Sequence, residues 1–439
     1  MDCTALFKEH TEILMQRTAE ICALLRIDGL VLGAGSPGYF FEDDQNLPFR
    51  PAHHFAHWCP AGGPGHLLQI MPGRRPKLAF YAPEDFWFDA PDPGESWWLD
   101  SFDVVRCKDE KSLWQELVAN KETPYLGPQP ERARFSGFSD GRDVPTLVSR
   151  LHWFRSLKTP YEVAALRRAN ELAAPGHEAA RDAFHRGESE LGIFLAWQAA
   201  TRQAPEAMPY HPIIGLNEKA AVLHYENKRD DVRQGKVMLI DSGYNWQGYG
   251  SDITRTHVSS AAPRVFSDLL AGMDKVQREF CDEIKPGRGF GDLHHISHTA
   301  IARLLLDAGI LQDCQADEAV SKGLTRIFFP HGLGHMLGIF VHDLAGRQKD
   351  PEGLPPDADP RHPTLRTTRI LEEGMVLTIE PGIYFIPMLL QPALKGEHGK
   401  LINQSLVEEL TPCGGIRIED NVHVTAAGHE NLTRPSIPW

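Results

Sequence analysis

The run VMLIDSGYNWQGYGSDITRT, residues 237–256, constrains the fold more than any other stretch. Val237-Met238-Leu239-Ile240 is an apolar run of strand-forming character that ends on Asp241. Asn245-Trp246-Gln247-Gly248 is prone to turn, and Tyr249, Gly250 and Asp252 lead into a Thr-rich return strand. The expected element is a β-hairpin centred between Trp246 and Gln247. That centre sets Asp241 and Asp252 directly opposite each other on one face, with Cβ atoms ~5 Å apart. Like charges so placed repel, and a bound cation is the simplest way to offset them. Two exposed acids on a surface hairpin are the commoner meaning of such a pair in a chain with 59 acidic residues. The rest of the sequence has to decide.

A length of 439 residues suffices for two or three domains with sizeable cores. The net charge of −14 argues against a phosphate-backbone partner, so no nucleic acid is expected. No apolar run approaches the ~18 residues of a membrane span, so no membrane partner is expected. The opening MDCTALFKEH has no apolar core of a secretory signal. Seven cysteines lie far apart with no CxxC, which fits free thiols in a reducing compartment; the expected location is the cytoplasm.

Residues 1–150 read as an α/β arrangement with strands and helices alternating. Leu6, Ile13, Leu14, Ile21, Leu24 and Leu25 mark a helix over 5–25, followed by the strand LVLGAG. Residues 66–83 read as strand, Pro-Gly turn, strand, and 102–107 as a further strand. Helices are expected near 111–119 and over 147–159. The stretch RSLKTPYE (155–162) looks like a boundary, giving domains 1–154 and 155–439. Thr159 can cap a helix that starts at Pro160 with Glu162 in its first turn, and Pro175-Gly176 is expected to break it near Ala174. Further helices are predicted over 177–186, 190–202, 263–284 and 292–308. From 325 onward the pattern is mostly strands and long loops, and 344–366 reads as one long loop.

Three more segments bring imidazoles and carboxylates to points where the chain turns. FFPHGLGHMLGIFVHD (328–343) carries His331, His335 and His342 among glycines that allow close backbone approach. MVLTIEPGIYF (375–385) ends an apolar run on Glu380 before a Pro-Gly turn. GGIRIEDNVHV (414–424) places Arg417 and Glu419 on one strand face. Each has an ordinary structural meaning alone. Together, four carboxylates and one histidine suit a pair of divalent cations with oxygen donors dominating.

The order Asp241, Asp252, His335, Glu380, Glu419 resembles the ligand set of the pita-bread metallopeptidases, the family of methionine aminopeptidase, aminopeptidase P and prolidase. HGLGHMLGIFVHD resembles the histidine signature shared by aminopeptidase P and prolidase. LRTTRILEEGMVLTIEPGIYF, GGIRIEDNV, AAVLHY (220–225) and, more loosely, EDDQNLPF resemble bacterial prolidases. Met336 and Glu373 depart from the proline usual in those relatives, which bears on pocket shape. The resemblance implies an α/β N-terminal domain for dimerisation and pocket closure, and an α+β pita-bread C-terminal catalytic domain. It implies two divalent ions, manganese in this family, with Asp241 bidentate, Asp252 and Glu419 bridging, and His335 and Glu380 completing the second site.

The same resemblance implies hydrolysis of Xaa-Pro dipeptides by a metal-bridging hydroxide in a homodimer. Glu380 would move the proton, His331 and His342 would flank the transition state, and Arg366 would pair with the substrate carboxylate. His224, Tyr210 and Arg417 would line the substrate pocket. Asp44, from the acidic loop of a partner subunit, would meet the α-ammonium group. The alternative is an aminopeptidase P acting on longer Xaa-Pro peptides. A side activity on organophosphorus esters or fluorides is a further expectation, because their tetrahedral centre resembles the amide transition state.

Overall fold

The computed structural model describes residues 3–89, 91–355, 362 and 365–439. The chain divides into two units, Met1–Ala164 with Asp350–Leu354, and Ala165–Lys349 with Pro355–Trp439. Part of the expected 344–366 loop, residues 356–361 and 363–364, lies outside the described residues. No helix among the described residues is long and apolar enough to cross a membrane.

The N-terminal unit is built on six strands: β1 (Leu30–Gly33), β2 (Leu67–Ile70), β3 (Lys77–Tyr81), β4 (Asp103–Cys107), β5 (Pro124–Leu126) and β6 (Ser139–Asp140). They form one mixed sheet in the order β4-β3-β2-β1-β5-β6. Central β1 and β2 are buried along their whole length; the one polar side chain in them, Gln69, is buried because its amide donates to Val118 O at 2.9 Å and accepts from Val118 N at 3.0 Å. Val31, Leu67, Ala79, Trp114, Tyr125 and Phe138 share one core. The first helix, Cys3–Leu25, buries Phe7, His10, Leu14, Thr18 and Ile21, a helical spacing. Leu24, expected on that face, is instead 56% exposed. His10 takes a buried place because both ring nitrogens are bonded, to Thr159 Oγ1 and His57 O at 2.8 Å each.

In the C-terminal unit the strands are β7 (Ile213–Leu216), β8 (Val237–Asp241), β9 (Asn245–Trp246), β10 (Tyr249–Gly250), β11 (Thr254–Val258), β12 (Val376–Ile379), β13 (Gly382–Tyr384), β14 (Gly415–Arg417), β15 (Asp420–Thr425) and β16 (Gly428–Asn431). They form small antiparallel sheets, β11-β8-β7, β10-β9, β12-β15-β16 and β13-β14. The helices Arg264–Asp282 and Phe290–Asp307 pack an apolar face into the same core, through Phe266, Leu269, Met273, Ile301 and Leu305.

Three local expectations are corrected. The hairpin's centre lies one residue further on, which shifts the register by two: Asp241 pairs with Thr254, and Trp246 with Tyr249. The two-residue turn is Gln247-Gly248, with φ of 53° and 89°, the paired positive values of a type I′ hairpin turn. Asp252 therefore sits diagonal to Asp241 and not opposite it. Second, Pro160–His185 is one continuous helix with Pro175 inside it. The lost backbone bond costs about 3 kcal/mol. Burial of Ala173, Ala180, Ala183 and Phe184 on both sides of the proline outweighs that cost. Gly176 is a packing residue: a Cβ there would stand 2.6 Å from the Trp197 ring. Third, the region after 325 contains the helices Pro387–Lys395 and Gln404–Leu410. Pro387 at the first helical position and Asn403, whose side chain accepts from Leu406 N at 3.2 Å, are their start signals.

Candidate metal centre

The shifted hairpin still brings both aspartates to one face. Asp252 precedes Thr254 by two residues, so it shares the face of Asp241. The ladder continues past the formal strands through Ser242 N to Ile253 O at 3.0 Å. A second layer approaches from β12 to β14. Glu380 follows β12 directly, and its N–H donates to Leu333 O at 2.8 Å. Glu419 follows β14, and its N–H donates to Thr254 O at 3.1 Å. His335 is held along β12 by a pair of bonds to Thr378, from His335 N to Thr378 Oγ1 at 3.1 Å and from Thr378 N to His335 O at 2.9 Å. Gly334 is required there, because a Cβ would fall 1.9 Å from Thr378 O.

These five side chains converge. His335 Nε2 lies 3.3 Å from Asp252 Oδ2 and 3.5 Å from Glu380 Oε1. Asp252, His335 and Glu419 each offer a donor atom within 4.8 Å of the others. Asp241 is joined to them through Arg417, which donates to Asp241 Oδ2 at 2.7 Å. Four of the five are almost fully buried.

Electrostatics decide how such a set can exist. Burial, then Asp252, Glu380 and Asp241, push the Glu419 carboxyl well above its usual range. Burial pushes Asp241 up to about 6 against the pull of Arg417, and Glu380 up to about 7 against the pull of His335. Burial also works to raise Asp252, but its bond to His335 holds it below the usual value. One arginine and one histidine cannot neutralise four carboxylates. A set like this holds either protons or cations. Oxygen donors with one imidazole suit hard-to-borderline divalent ions, so the donor set fits a metal pair.

The cavity above this face has a volume of about 290 Å³. Asp241, Asp252, His335, Glu380 and Glu419 form its floor, and His224, His331, His342, Arg366 and Arg417 are on its walls. Tyr210 reaches the centre through Asp241, to whose Oδ1 its hydroxyl donates at 2.7 Å. Asp44 is an exposed residue of the N-terminal unit. All three guanidinium nitrogens of Arg417 are engaged: Nε donates to Thr254 Oγ1 at 3.0 Å, Nη1 to Tyr384 Oη at 2.9 Å and Nη2 to Asp241. Its guanidinium is thus tied to the floor through Asp241.

Sequence reasoning missed Tyr384 and Thr254. Tyr384 Oη lies 2.8 Å from His331 Nε2, while His331 Nδ1 meets Gly332 O at 2.8 Å. The donors run from Arg417 to Tyr384, to His331, to the Gly332 carbonyl. Thr254 donates to Glu419 Oε2 at 2.6 Å. Neither residue carries charge or a motif spacing; only the register of β11 and β13 reveals them. Burial pushes His331 down to about 3 and His342 down to about 4, so both are neutral near pH 7. Among the described residues His342 makes no hydrogen bond, and its ring stands edge-on to His335 at 4.5 Å.

Comparison with known proteins fits this geometry. The family profile described as Metallopeptidase family M24 matches residues 164–426, and that described as Xaa-Pro dipeptidase, N-terminal domain, matches residues 5–153. The Xaa-Pro dipeptidase of Marinobacter nauticus is 42% identical over 435 residues, covering 99% of this chain and 98% of the relative. That of Aeromonas hydrophila subsp. hydrophila is also 42% identical, covering 98% of each. Escherichia coli aminopeptidase P with the inhibitor Pro-Leu superposes with a TM-score of 0.74 at 22% identity, over 98% of this chain and 95% of that one, and it speaks for the fold alone. From this identity, this coverage and these profiles, the chain belongs to metallopeptidase family M24, with an α/β N-terminal domain ahead of a pita-bread catalytic domain.

Proposed function

We propose that the chain hydrolyses dipeptides of the form Xaa-Pro at a dinuclear centre held by Asp241, Asp252, His335, Glu380 and Glu419. One observation carries the dipeptide reading. Arg366 lines the cavity of about 290 Å³; the other arginine there, Arg417, is already paired with Asp241, whereas among the described residues the Arg366 guanidinium has no carboxylate partner. A proline carboxylate would supply that partner in bidentate form. The names of the 42%-identical relatives point the same way.

Two divalent ions, manganese on the family resemblance, would lower the pKa of a water and polarise the scissile carbonyl. The protein's own groups do the rest. Glu380 takes the proton of the attacking water and delivers it to the proline nitrogen, a tertiary amide nitrogen with no hydrogen of its own. His342, with ring nitrogens uncommitted among the described residues, donates to the carbonyl oxygen as negative charge develops. His331 has both nitrogens engaged and holds Tyr384 and the Gly332 backbone in place. His224 is an exposed residue of the cavity lining, and the Xaa side chain would lie against it. Residues 155–439 carry this chemistry. Residues 1–154 would form a homodimer in the cytoplasm, with Asp44 of a second copy meeting the substrate's ammonium group. A tetrahedral phosphorus ester or fluoride would fit the same groups as a side substrate.

The competing reading is an aminopeptidase acting on longer Xaa-Pro peptides, which must leave room beyond the proline. The test is Arg366→Ala, assayed with Xaa-Pro, Xaa-Pro amide and Xaa-Pro-Yaa. Loss of a charge-assisted pair should cost Xaa-Pro about 2–3 kcal/mol in kcat/KM. The amide, which carries no carboxylate, should barely change. Equal losses on both, or a wild-type preference for Xaa-Pro-Yaa, would favour the aminopeptidase.

A further inference from the structure

Away from the carboxylate floor, the C-terminal unit holds a second concentration of metal-binding side chains, and it consists of imidazoles alone. His294 and His298 lie one turn apart on the helix Phe290–Asp307, so their rings share one face. His362 closes against them. Ring centroids stand 4.8 Å apart for His294 and His298, 4.3 Å for His294 and His362, and 5.1 Å for His298 and His362. His294 Nε2 is 3.1 Å from His362 Nδ1. All three offer a ring nitrogen within 4.8 Å of the others.

The surroundings favour lone pairs over protons. Burial and the neighbouring imidazoles push His294 and His298 far below the usual histidine range, so both are neutral. His298 Nδ1 meets Thr325 Oγ1 at 3.0 Å, which orients the ring and leaves Nε2 as its ligating atom. His294 Nδ1 is buried with no hydrogen-bond partner. In a tetrahedral zinc site with Zn–N bonds of ~2.0–2.1 Å, ligand nitrogens stand roughly 3.3 Å apart. The approach of His294 to His362 already meets that spacing.

We propose that His294, His298 and His362 form a second metal site, taking a borderline divalent cation such as zinc, separate from the carboxylate-rich centre. Three imidazoles without a carboxylate suit zinc, copper or nickel better than magnesium, calcium or manganese. A water would take the fourth position. The site is one ring away from the cavity: Phe329 packs on His294 and His298 on one side and on His331 on the other, with centroids 5.9, 5.2 and 4.9 Å apart. It would also tie the chain to this helix four residues before Arg366.

The test counts zinc per chain by elemental analysis after equilibration with buffered free Zn²⁺. The chains compared are the wild type, His298→Ala and His362→Ala, and an Asp252→Asn/Glu419→Gln parent with and without His362→Ala. Circular dichroism reports folding throughout. The expected result is one zinc fewer per chain for each histidine variant, and the same single-ion difference in the Asp252→Asn/Glu419→Gln background. X-ray absorption of zinc in that background should report an imidazole shell. A failure of the dinuclear reading would change the parents' totals but not the difference between parent and histidine variant. An unchanged count in both His298→Ala and His362→Ala overturns the proposal, as does a count lowered only in variants that have lost their native spectrum. Either result would mean three imidazoles sharing hydrogen bonds in a core.

Discussion

Two buried clusters of histidine and carboxylate in this chain have opposite meanings. In the N-terminal unit, Glu162 is buried beside His57, with Oε1 and Nε2 3.3 Å apart. Its other oxygen accepts from Thr159 N at 2.9 Å, and Glu162 N donates to Thr159 Oγ1 at 3.4 Å, the reciprocal box that starts a helix. Burial would raise this carboxyl, but His57, His10 and Lys158 hold it well below the usual range. In the C-terminal unit the balance is reversed, with Glu419, Glu380 and Asp241 all pushed up. Burial is common to both clusters. Only the second is short of positive charge, and that shortage marks it as a place for cations.

The largest effect should come from the overstocked cluster. Glu419→Gln or Asp252→Asn is expected to lower turnover more than a thousandfold, over about 4 kcal/mol in the barrier, with the circular dichroism spectrum intact. In metal-free protein, Glu419→Gln should melt no lower than its parent, because a raised buried carboxyl stabilises nothing at neutral pH. Turnover near the wild-type level, or a sharp drop in metal-free melting temperature, would erase the distinction between the clusters.

The balanced cluster should behave the other way. Glu162→Ala leaves a buried imidazole facing no carboxylate and removes a cap, so denaturant unfolding should report a loss of about 3 kcal/mol. Activity per folded molecule should hold. Acid should act on the same cluster. Burial pushes His10 down to about 4 against the pull of Glu162. The folded state thus binds fewer protons than the unfolded one between pH 6.5 and about 4. The stability tied to His10 is complete above pH 6.5 and is lost as pH falls to about 4, by up to about 3 kcal/mol. His10→Asn should flatten that part of the stability–pH curve, and an unaltered slope would count against the assignment.

The smallest effect expected is at Tyr384→Phe. Removal of the hydroxyl between Arg417 and His331 should cost about 1 kcal/mol, a fall of about fivefold in kcat with KM nearly constant. A change in KM alone would place Tyr384 with substrate binding.

The sequence by itself determined the donors and their carriers. An apolar run ending on an acid, a glycine-flanked histidine and a period-two strand are local patterns, and periodicity reports local structure faithfully. The Thr159-Pro160-Glu162 start signal is equally local, and it appears as read. What lay beyond the sequence were competitions between distant parts of the chain. Pro175 continues a helix because packing of Ala180, Ala183 and Phe184 against Ile193 and Trp197 outweighs one missing hydrogen bond. The hairpin register shifted because Gln247-Gly248 makes the tighter turn, which no count of residues between two aspartates reveals. Tyr384 and Thr254 joined the site, and His362 met a helix bearing His294 and His298, through pairings and side-chain approaches between segments far apart in sequence. Chemistry is written in residue types, but convergence is a long-range property, so only the tertiary structure could decide which types meet.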